Sequence, residues 1–298
     1  MTHHQHHLAM TFGESNFDAG RIYLEGRGQH FTEPVPPPVP PSVPIQFNRT
    51  EATHLSALQQ QVFKQGVQTM MHDGRYRRLV EIHMQGQHRM HGLGGDSIGA
   101  LRFLSWHRQY LMEFEAALGS PVPYWDWTQG FPAWLDDYLP FPLDTLPMDQ
   151  MSNDIASGTR TMPRENRSSS LAPRLPNTDD IRAILEIQLD PVAPAGARYA
   201  AFSARLESGN SDLTAPPLIM SHNQVHVWVG GIMNTMASPA DPVFWMHHAQ
   251  VDRLWAHHQE KNPDLFPDIQ IGFEKLGPWD QVTVSDVFHL QGLNYIYS

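Results

Sequence analysis

The chain has 298 residues, no cysteine and a formal net charge of −11. The lack of cysteine excludes disulfides, thiolate ligands and iron–sulfur clusters, and the acidic balance argues against binding to nucleic acids or anionic membranes. No apolar run reaches about 18 residues, so we predict no transmembrane helix. The first residues lack the pattern of a signal peptide, so we expect a cytoplasmic location by default, with export alongside a partner as the alternative.

Residues 1–44 differ in composition from the rest of the chain. They begin with a histidine cluster, which we interpret as a solvated tail rather than a metal site: His3, His4, His6 and His7. The segment PVPPPVPPSVP at 34–44 predicts a stiff polyproline II spacer. We therefore predict a His-rich and Pro-rich N-terminal extension over 1–44 and one domain over 45–298.

Periodic apolar positions predict helices in the first half of this domain. One amphipathic helix should follow Thr53 and bury Leu55, Leu58, Val62 and Val67. The next helix has an i, i+3, i+4, i+7 stripe made of Tyr76, Leu79, Val80 and His83. A third helix is predicted over 105–118, with a stripe made of His107, Tyr110, Leu111, Phe114 and Leu118.

The second half alternates loops with helices. Residues 119–180 are rich in Pro, Gly, Ser and Asp and predict short elements at most. Further helices are predicted over 181–189, 199–207, 222–229 and 241–258, with loops and short strands after them and His257 and His258 in solvent. The predicted fold class is mainly α, with a four-helix-bundle core wrapped by long loops and a few short strands.

Several histidines fall on inward helix faces. His222 and His226 are four residues apart, so both imidazoles reach one ion, and His83 and His107 also lie on apolar stripes. A hydrogen bond to a carbonyl explains any single buried histidine, but one shared metal cluster satisfies all of them together. Adjacent His247 and His248 point about 100° apart, and periodicity does not choose between them.

The type of ligand limits the choice of metal. Imidazoles suit copper, zinc or nickel better than magnesium or calcium. A carboxylate-bridged di-iron site requires two Glu-x-x-His motifs, and the sequence has one match, Glu51 with His54. A zinc hydrolase of the HExxH type is disfavoured because that motif does not occur.

These segments together resemble the type 3 copper proteins, which comprise tyrosinases, catechol oxidases and molluscan hemocyanins. The resemblance covers about residues 45–298 and is carried by Arg49, RFLSWHRQYLMEFEAAL (102–118), PYWDW (123–127), HNQVHVWVGGIM (222–233), SPADPVFWMHHAQVDRLW (238–255) and the Tyr-x-Tyr at 295–297. The chain looks like the bacterial branch, because other members often tie a ligand to a cysteine.

The resemblance implies two copper ions per chain. The first would be held by His83, His107 and a third histidine, and the second by His222, His226 and His248, since the family uses the second histidine of its pair. Ile98 stands where the family usually has the third ligand. The segment RMHGLGGDSIGA is similar to a loop insertion that moves this ligand upstream to His91, with His88 as the alternative.

The resemblance also implies roles for other residues. Glu207 and Asn223 would hold a water that deprotonates an incoming phenol, and Met236 would be a gate residue over the substrate entrance. A surface salt bridge is the alternative for Glu207, and plain packing is the alternative for Met236. Phe244 or another aromatic residue would pack on the ligand rings.

The implied function is a copper-dependent phenol oxidase. It would o-hydroxylate monophenols and oxidise o-diphenols to quinones with O2 through a side-on peroxide between the coppers, and a copper-delivery partner would be possible. One alternative is a catechol or o-aminophenol oxidase without monophenolase activity. Another is a hemocyanin-like oxygen carrier, which is disfavoured because carriers are much larger chains with a shielding domain.

Overall fold

A computed structural model describes residues 47–92, 96–141, 164, 172–209, 218–269, 272–290, 293 and 295–298. The extension predicted over 1–44 lies outside these residues. Within them the helices are α1 (Ala57–His72), α2 (Arg75–His83), α3 (Ser97–Leu118), α4 (Thr178–Leu185), α5 (Ala195–Ser208), α6 (His222–Val229), α7 (Val243–Lys261) and α8 (Val284–Phe288). The mainly α prediction is confirmed. None of these helices has the length and apolar character needed to cross a membrane.

Helix α3 is the central helix, and it packs against α7 and α5. It begins at Ser97 rather than at residue 105, because the side chain of Asp96 accepts hydrogen bonds from the first backbone N–H groups. Gly99 permits this early start, since a Cβ there would lie 1.7 Å from the carbonyl oxygen of His91. The segment that carries His91 is therefore packed directly on the first turn of α3.

The buried face of α1 differs in part from the predicted one, since Leu55 and Val67 are buried as predicted but the other two apolar residues are not. Leu58 is 70% exposed and Val62 is 46% exposed, whereas Phe63, Val67 and Met70 are buried. The helix begins after Ser56, which caps its N-terminus. Its buried stripe includes Phe63, an aromatic residue that the prediction left out. The largest apolar side chain, rather than the count of apolar positions, decides which face packs on the core.

Helix α7 is longer than predicted, and its end is buried. It runs to Lys261, and His258 in its last turn is only 4% exposed, with its ring stacked on Phe202 of α5 at 3.5 Å. The prediction of a solvated His258 was wrong because α5 covers that face of α7. His257 points to the other side, where its side chain is 48% exposed.

Short strands bring distant parts of the chain together. Strands β1 (Phe47–Arg49) and β4 (Tyr295–Tyr297) pair in parallel, with Arg49 opposite Tyr297. Strands β2 (Lys275–Leu276) and β3 (Trp279–Thr283) form an antiparallel hairpin. The β1–β4 pair places Arg49 beside Glu115, near the end of α3, and Asp252, in the middle of α7.

Arg49 lies at the centre of a buried charge network. Its guanidinium donates two hydrogen bonds to Glu115, at 2.8 and 2.7 Å, and one to Asp252 at 3.0 Å. Arg108 donates to the other oxygen of Asp252 at 2.5 Å. Burial acts to raise the pKa of Asp252, but Arg108 and Arg49 outweigh it and hold that pKa below its usual value. Two arginines thus balance two carboxylates.

Replacing Arg49 by Gln should lower the free energy of unfolding by about 3–5 kcal/mol, because it leaves buried carboxylates without compensating charge. Urea unfolding at neutral pH measures this loss. The matched control is Arg182→Gln, since the side chains of the Arg182–Asp179 pair are 58% and 80% exposed. The control should change stability by less than about 0.5 kcal/mol. Equal losses in both variants would contradict the role of the network.

Candidate metal centre

Buried histidines converge in two groups at the centre of the helical core. One group comprises His83, His91 and His107, and the other comprises His222, His226, His247 and His248. Within each group, one ligand atom from every residue lies within 4.8 Å of those of the others. The groups adjoin, because the rings of His107 and His248 stack with centroids 4.2 Å apart and 12° between their planes.

The first group is fixed by hydrogen bonds at Nδ1. Nδ1 of His83 lies 2.8 Å from the carbonyl oxygen of Met236, and Nδ1 of His107 lies 2.8 Å from the carbonyl oxygen of Phe103. In His91 it lies 3.2 Å from the carboxylate of Glu207. An acceptor at Nδ1 requires the proton there, which leaves the Nε2 lone pair available for a metal.

The second group converges through Nε2. This atom of His222 lies 3.2 Å from that of His248 and 3.1 Å from that of His226. The Nδ1 atoms of His222 and His226 are held by the side-chain oxygen of Asn223 and the carbonyl oxygen of Met233, at 2.8 and 2.7 Å. Three imidazoles therefore point one nitrogen each at a common point.

His247 belongs to the second group but has a distinct environment. Trp127 donates from its indole nitrogen to Nδ1 of His247 at 3.0 Å, so the proton of a neutral His247 lies on Nε2. The ring stacks on His222 with centroids 4.9 Å apart. A protonated Nε2 does not bind a metal, which favours His248 as the ligand from this pair. The tryptophan comes from the PYWDW segment.

Aromatic side chains enclose the two groups. Phe244 contacts His83 and His248, with ring centroids 5.1 and 4.2 Å apart, so the expected packing of Phe244 on these rings is present. Phe103 lies 4.9 Å from both His107 and His222, and the sequence analysis did not single it out. Its position four residues before His107 on the same helix face was the available signal.

The histidines fit a metal on the chemistry of their donors. Among the described residues, Nε2 of His83 and Nε2 of His107 are buried without a hydrogen-bond partner. Burial lowers the pKa of His83, His91 and His226 to about 3, so these imidazoles are neutral at physiological pH. A buried neutral nitrogen without a partner is costly, and a metal ion would satisfy it. An all-imidazole set suits copper.

Glu207 and Asn223 lie against this cluster. Glu207 is 1% exposed, which contradicts the surface salt bridge considered for it. Its carboxylate accepts from the backbone N–H of Gly92 at 3.1 Å, and burial raises its pKa to about 8. The amide of Asn223 donates to the hydroxyl of Ser208 at 3.1 Å. Glu207 contacts His91 and Asn223 contacts His222, and these two rings have centroids 6.1 Å apart, so the two side chains bond to neighbouring imidazoles of the two groups.

The remaining candidates lie close by. Met236 is half-buried and packs against the core, and its carbonyl oxygen contacts His83. His88 is 7% exposed and stacks on Trp106 with ring centroids 6.2 Å apart, outside both histidine groups. Ile98 is buried in the first turn of α3 and has no metal-binding atom. The geometry thus favours His91 over His88.

Comparison with known proteins agrees with this geometry. The family model described as the common central domain of tyrosinase matches residues 73–261. Tyrosinase of Streptomyces glaucescens is 31% identical over 272 residues, covering 80% of this chain and 94% of that protein. Grixazone synthase of Streptomyces griseus is 28% identical over 290 residues, covering 78% and 93%.

Two solved structures share the fold. A polyphenol oxidase variant from Thermothelomyces thermophila matches with a TM-score of 0.55 and 18% identity, covering 97% of this chain and 99% of that one. A copper-bound tyrosinase mutant of Aspergillus oryzae complexed with L-tyrosine matches with a TM-score of 0.53 and 18% identity, covering 88% and 94%.

The fold is that of solved tyrosinases and polyphenol oxidases, and its two adjoining groups of buried histidines have the donors that copper prefers. The chain belongs to the tyrosinase family, whose members are copper oxidoreductases that act on phenols with O2.

Copper content tests which histidine completes the first group. After copper loading, His91→Ala should hold half the copper of the wild type, because its imidazole is the one brought together with His83 and His107. His88→Ala should keep the full amount and most of the activity. Elemental analysis of both variants measures this. The reverse result would assign the ligand to His88, and loss from both would make His88 a support for the site.

Proposed function

We propose that the chain is a phenol oxidase with two coppers, which o-hydroxylates monophenols and oxidises o-diphenols to o-quinones. The observation that carries the proposal is the pair of adjoining, buried imidazole groups. His83, His91 and His107 would hold one copper, and His222, His226 and His248 the other. The coppers, when bound, supply the site for O2 and the route for the electrons taken from the substrate.

The residues around the cluster exclude water and fix the ligands. Phe103 and Phe244 are fully buried and pack on the imidazole rings. Carbonyl, carboxylate and amide oxygens at Nδ1 hold five of the six proposed ligand rings in one tautomer, and the exception is His248, whose Nδ1 is buried without a hydrogen-bond partner among the described residues. Such fixed, dry ligands would hold the two coppers away from bulk water.

Proton removal from the phenol falls to Glu207 and Asn223 in this proposal. A phenol has a pKa of about 10, so it must lose its proton to bind as phenolate at neutral pH. Glu207 and Asn223 flank the edge where one histidine of each group meets the other, at His91 and His222. In its ionised form, which the raised pKa of about 8 favours at mildly alkaline pH, the Glu207 carboxylate would accept the proton through a water that the amide orients. Met236 lies in the turn whose carbonyl oxygen contacts His83, and its side chain would line the entrance for the substrate.

A second candidate keeps the same centre but restricts it to o-diphenols or o-aminophenols. It is favoured by the commitment of the Glu207 carboxylate to His91 and Gly92, which uses acceptor capacity that a general base needs. In that case Glu207 would only position His91. An oxygen carrier would bind O2 reversibly and consume no phenol.

Metal content and oxygen uptake test the proposal. Copper-loaded protein should contain two coppers per chain and consume O2 with a monophenol and with an o-diphenol. Zinc or a single metal after copper loading would contradict the dicopper assignment. Uptake with only the o-diphenol or an o-aminophenol would support the restricted oxidase, and reversible O2 binding without turnover would support a carrier.

Glu207→Gln separates the general base from a positioning role. Loss of the base should lower the monophenol rate by about 10²–10⁴-fold and the o-diphenol rate much less, since the proposed role of the base is to deprotonate the monophenol as it binds. Asn223→Asp should shift the same ratio. The matched control is Glu186→Gln, at an exposed position after α4. An equal fall in both rates would show that Glu207 only holds His91.

A further inference from the structure

One short turn contacts both histidine groups. It follows α6 and contains the 3-10 segment Gly231–Asn234. The carbonyl oxygen of Met233 lies 2.7 Å from Nδ1 of His226, in the second group. Three residues later, the carbonyl oxygen of Met236 lies 2.8 Å from Nδ1 of His83, in the first group. The turn therefore orients one imidazole of each group through its backbone alone.

The side chain of Thr235 closes this turn. Its hydroxyl donates to the carbonyl oxygen of Ile232 at 2.9 Å and accepts from the backbone N–H of Ala237 at 3.1 Å. The two bonded positions, 232 and 237, bracket both methionines whose carbonyls face the histidines. The hydroxyl thus adds side-chain hydrogen bonds on both flanks of these carbonyls to a turn that is also closed by backbone bonds, such as Thr235 N–H to the carbonyl oxygen of Ile232 at 3.1 Å.

We infer that Thr235 is a positioning residue that sets one ligand imidazole of each proposed copper site at the same time. Met233 and Met236 act through their backbone oxygens, so their side-chain identities do not fix the imidazoles. The turn geometry does fix them, and the Thr235 hydroxyl is the side-chain group that bonds across it. Because the contact atoms are carbonyl oxygens, a sequence motif search does not reveal this function. The inference rests on the proposed binding of copper by these histidines.

Thr235→Val tests the inference, because valine keeps the β-branched shape and removes only the hydroxyl. Groups that orient metal-bound histidines typically contribute about 10–100-fold to metal affinity. We therefore expect Thr235→Val to lose copper to a chelator about 10–100-fold more readily than the wild type. Both coppers should be lost together. His83→Ala serves as the reference for a protein that lacks one site.

Thr235→Ser should restore retention of both coppers, because serine supplies the same hydroxyl. The matched control is Thr69→Val, which removes an exposed hydroxyl on α1 that bonds only to Gln65 of its own helix. Thermal unfolding of the copper-free proteins should give nearly equal Tm values, which separates positioning from a general loss of stability. If Thr235→Val does not fold, Thr235→Ala replaces it, since alanine removes the hydroxyl without adding a methyl group.

The outcomes are distinct. If the wild type binds two coppers and Thr235→Val retains both equally well, the inference is wrong while the proposed function stands. Selective loss of one copper would also overturn it, since a shared turn must affect both groups. If the wild type itself takes up no copper, the proposed function fails, and the inference fails with it.

Discussion

The ion pair between Arg108 and Asp252 sets the register on which the metal centre depends. Arg108 directly follows His107 on α3, and Asp252 lies one turn after His248 on α7. A 2.5 Å hydrogen bond between them fixes how the two helices align, and this alignment stacks the rings of His107 and His248 at 4.2 Å. Arg49 then balances the second carboxylate, so the buried charges are neutral in sum.

Ligand geometry is built from three kinds of acceptor. Backbone carbonyls accept from the imidazoles of His83, His107 and His226. A carboxylate, that of Glu207, holds His91, and an amide oxygen, that of Asn223, holds His222, while Nδ1 of the sixth proposed ligand, His248, has no hydrogen-bond partner among the described residues. The two positions that use side chains are the same two that flank the substrate edge in our proposal. In that proposal, ligand orientation and proton handling share the same groups.

The sequence predicted the helical class and the inward faces of α2, α3, α6 and α7, because their apolar stripes repeat at the helical period. It misjudged the face of α1 and the burial of His258, because both depend on which neighbouring helix covers which side. The resemblance supplied His91, which lies in a loop where periodicity has no meaning. The supporting roles of Trp127 and the carbonyl of Met233 could not be predicted from the sequence. The first contact joins residues far apart in the chain, and the second uses a backbone atom that every residue has.

The pairing of β1 with β4 has a consequence for the time order of folding during synthesis. Arg49 and Tyr297 are 248 positions apart, and their side chains hydrogen-bond at 2.8 Å. A contact of such long range forms late, since closing long loops is entropically slow. While the chain is still being translated, β4 is not yet paired with β1, and Arg49 lacks its contact with Tyr297 beside α3 and α7. Strand β4 must therefore be synthesised before the Arg49–Tyr297 contact forms, so any metal uptake that depends on the final alignment of the histidines would follow the synthesis of residue 297.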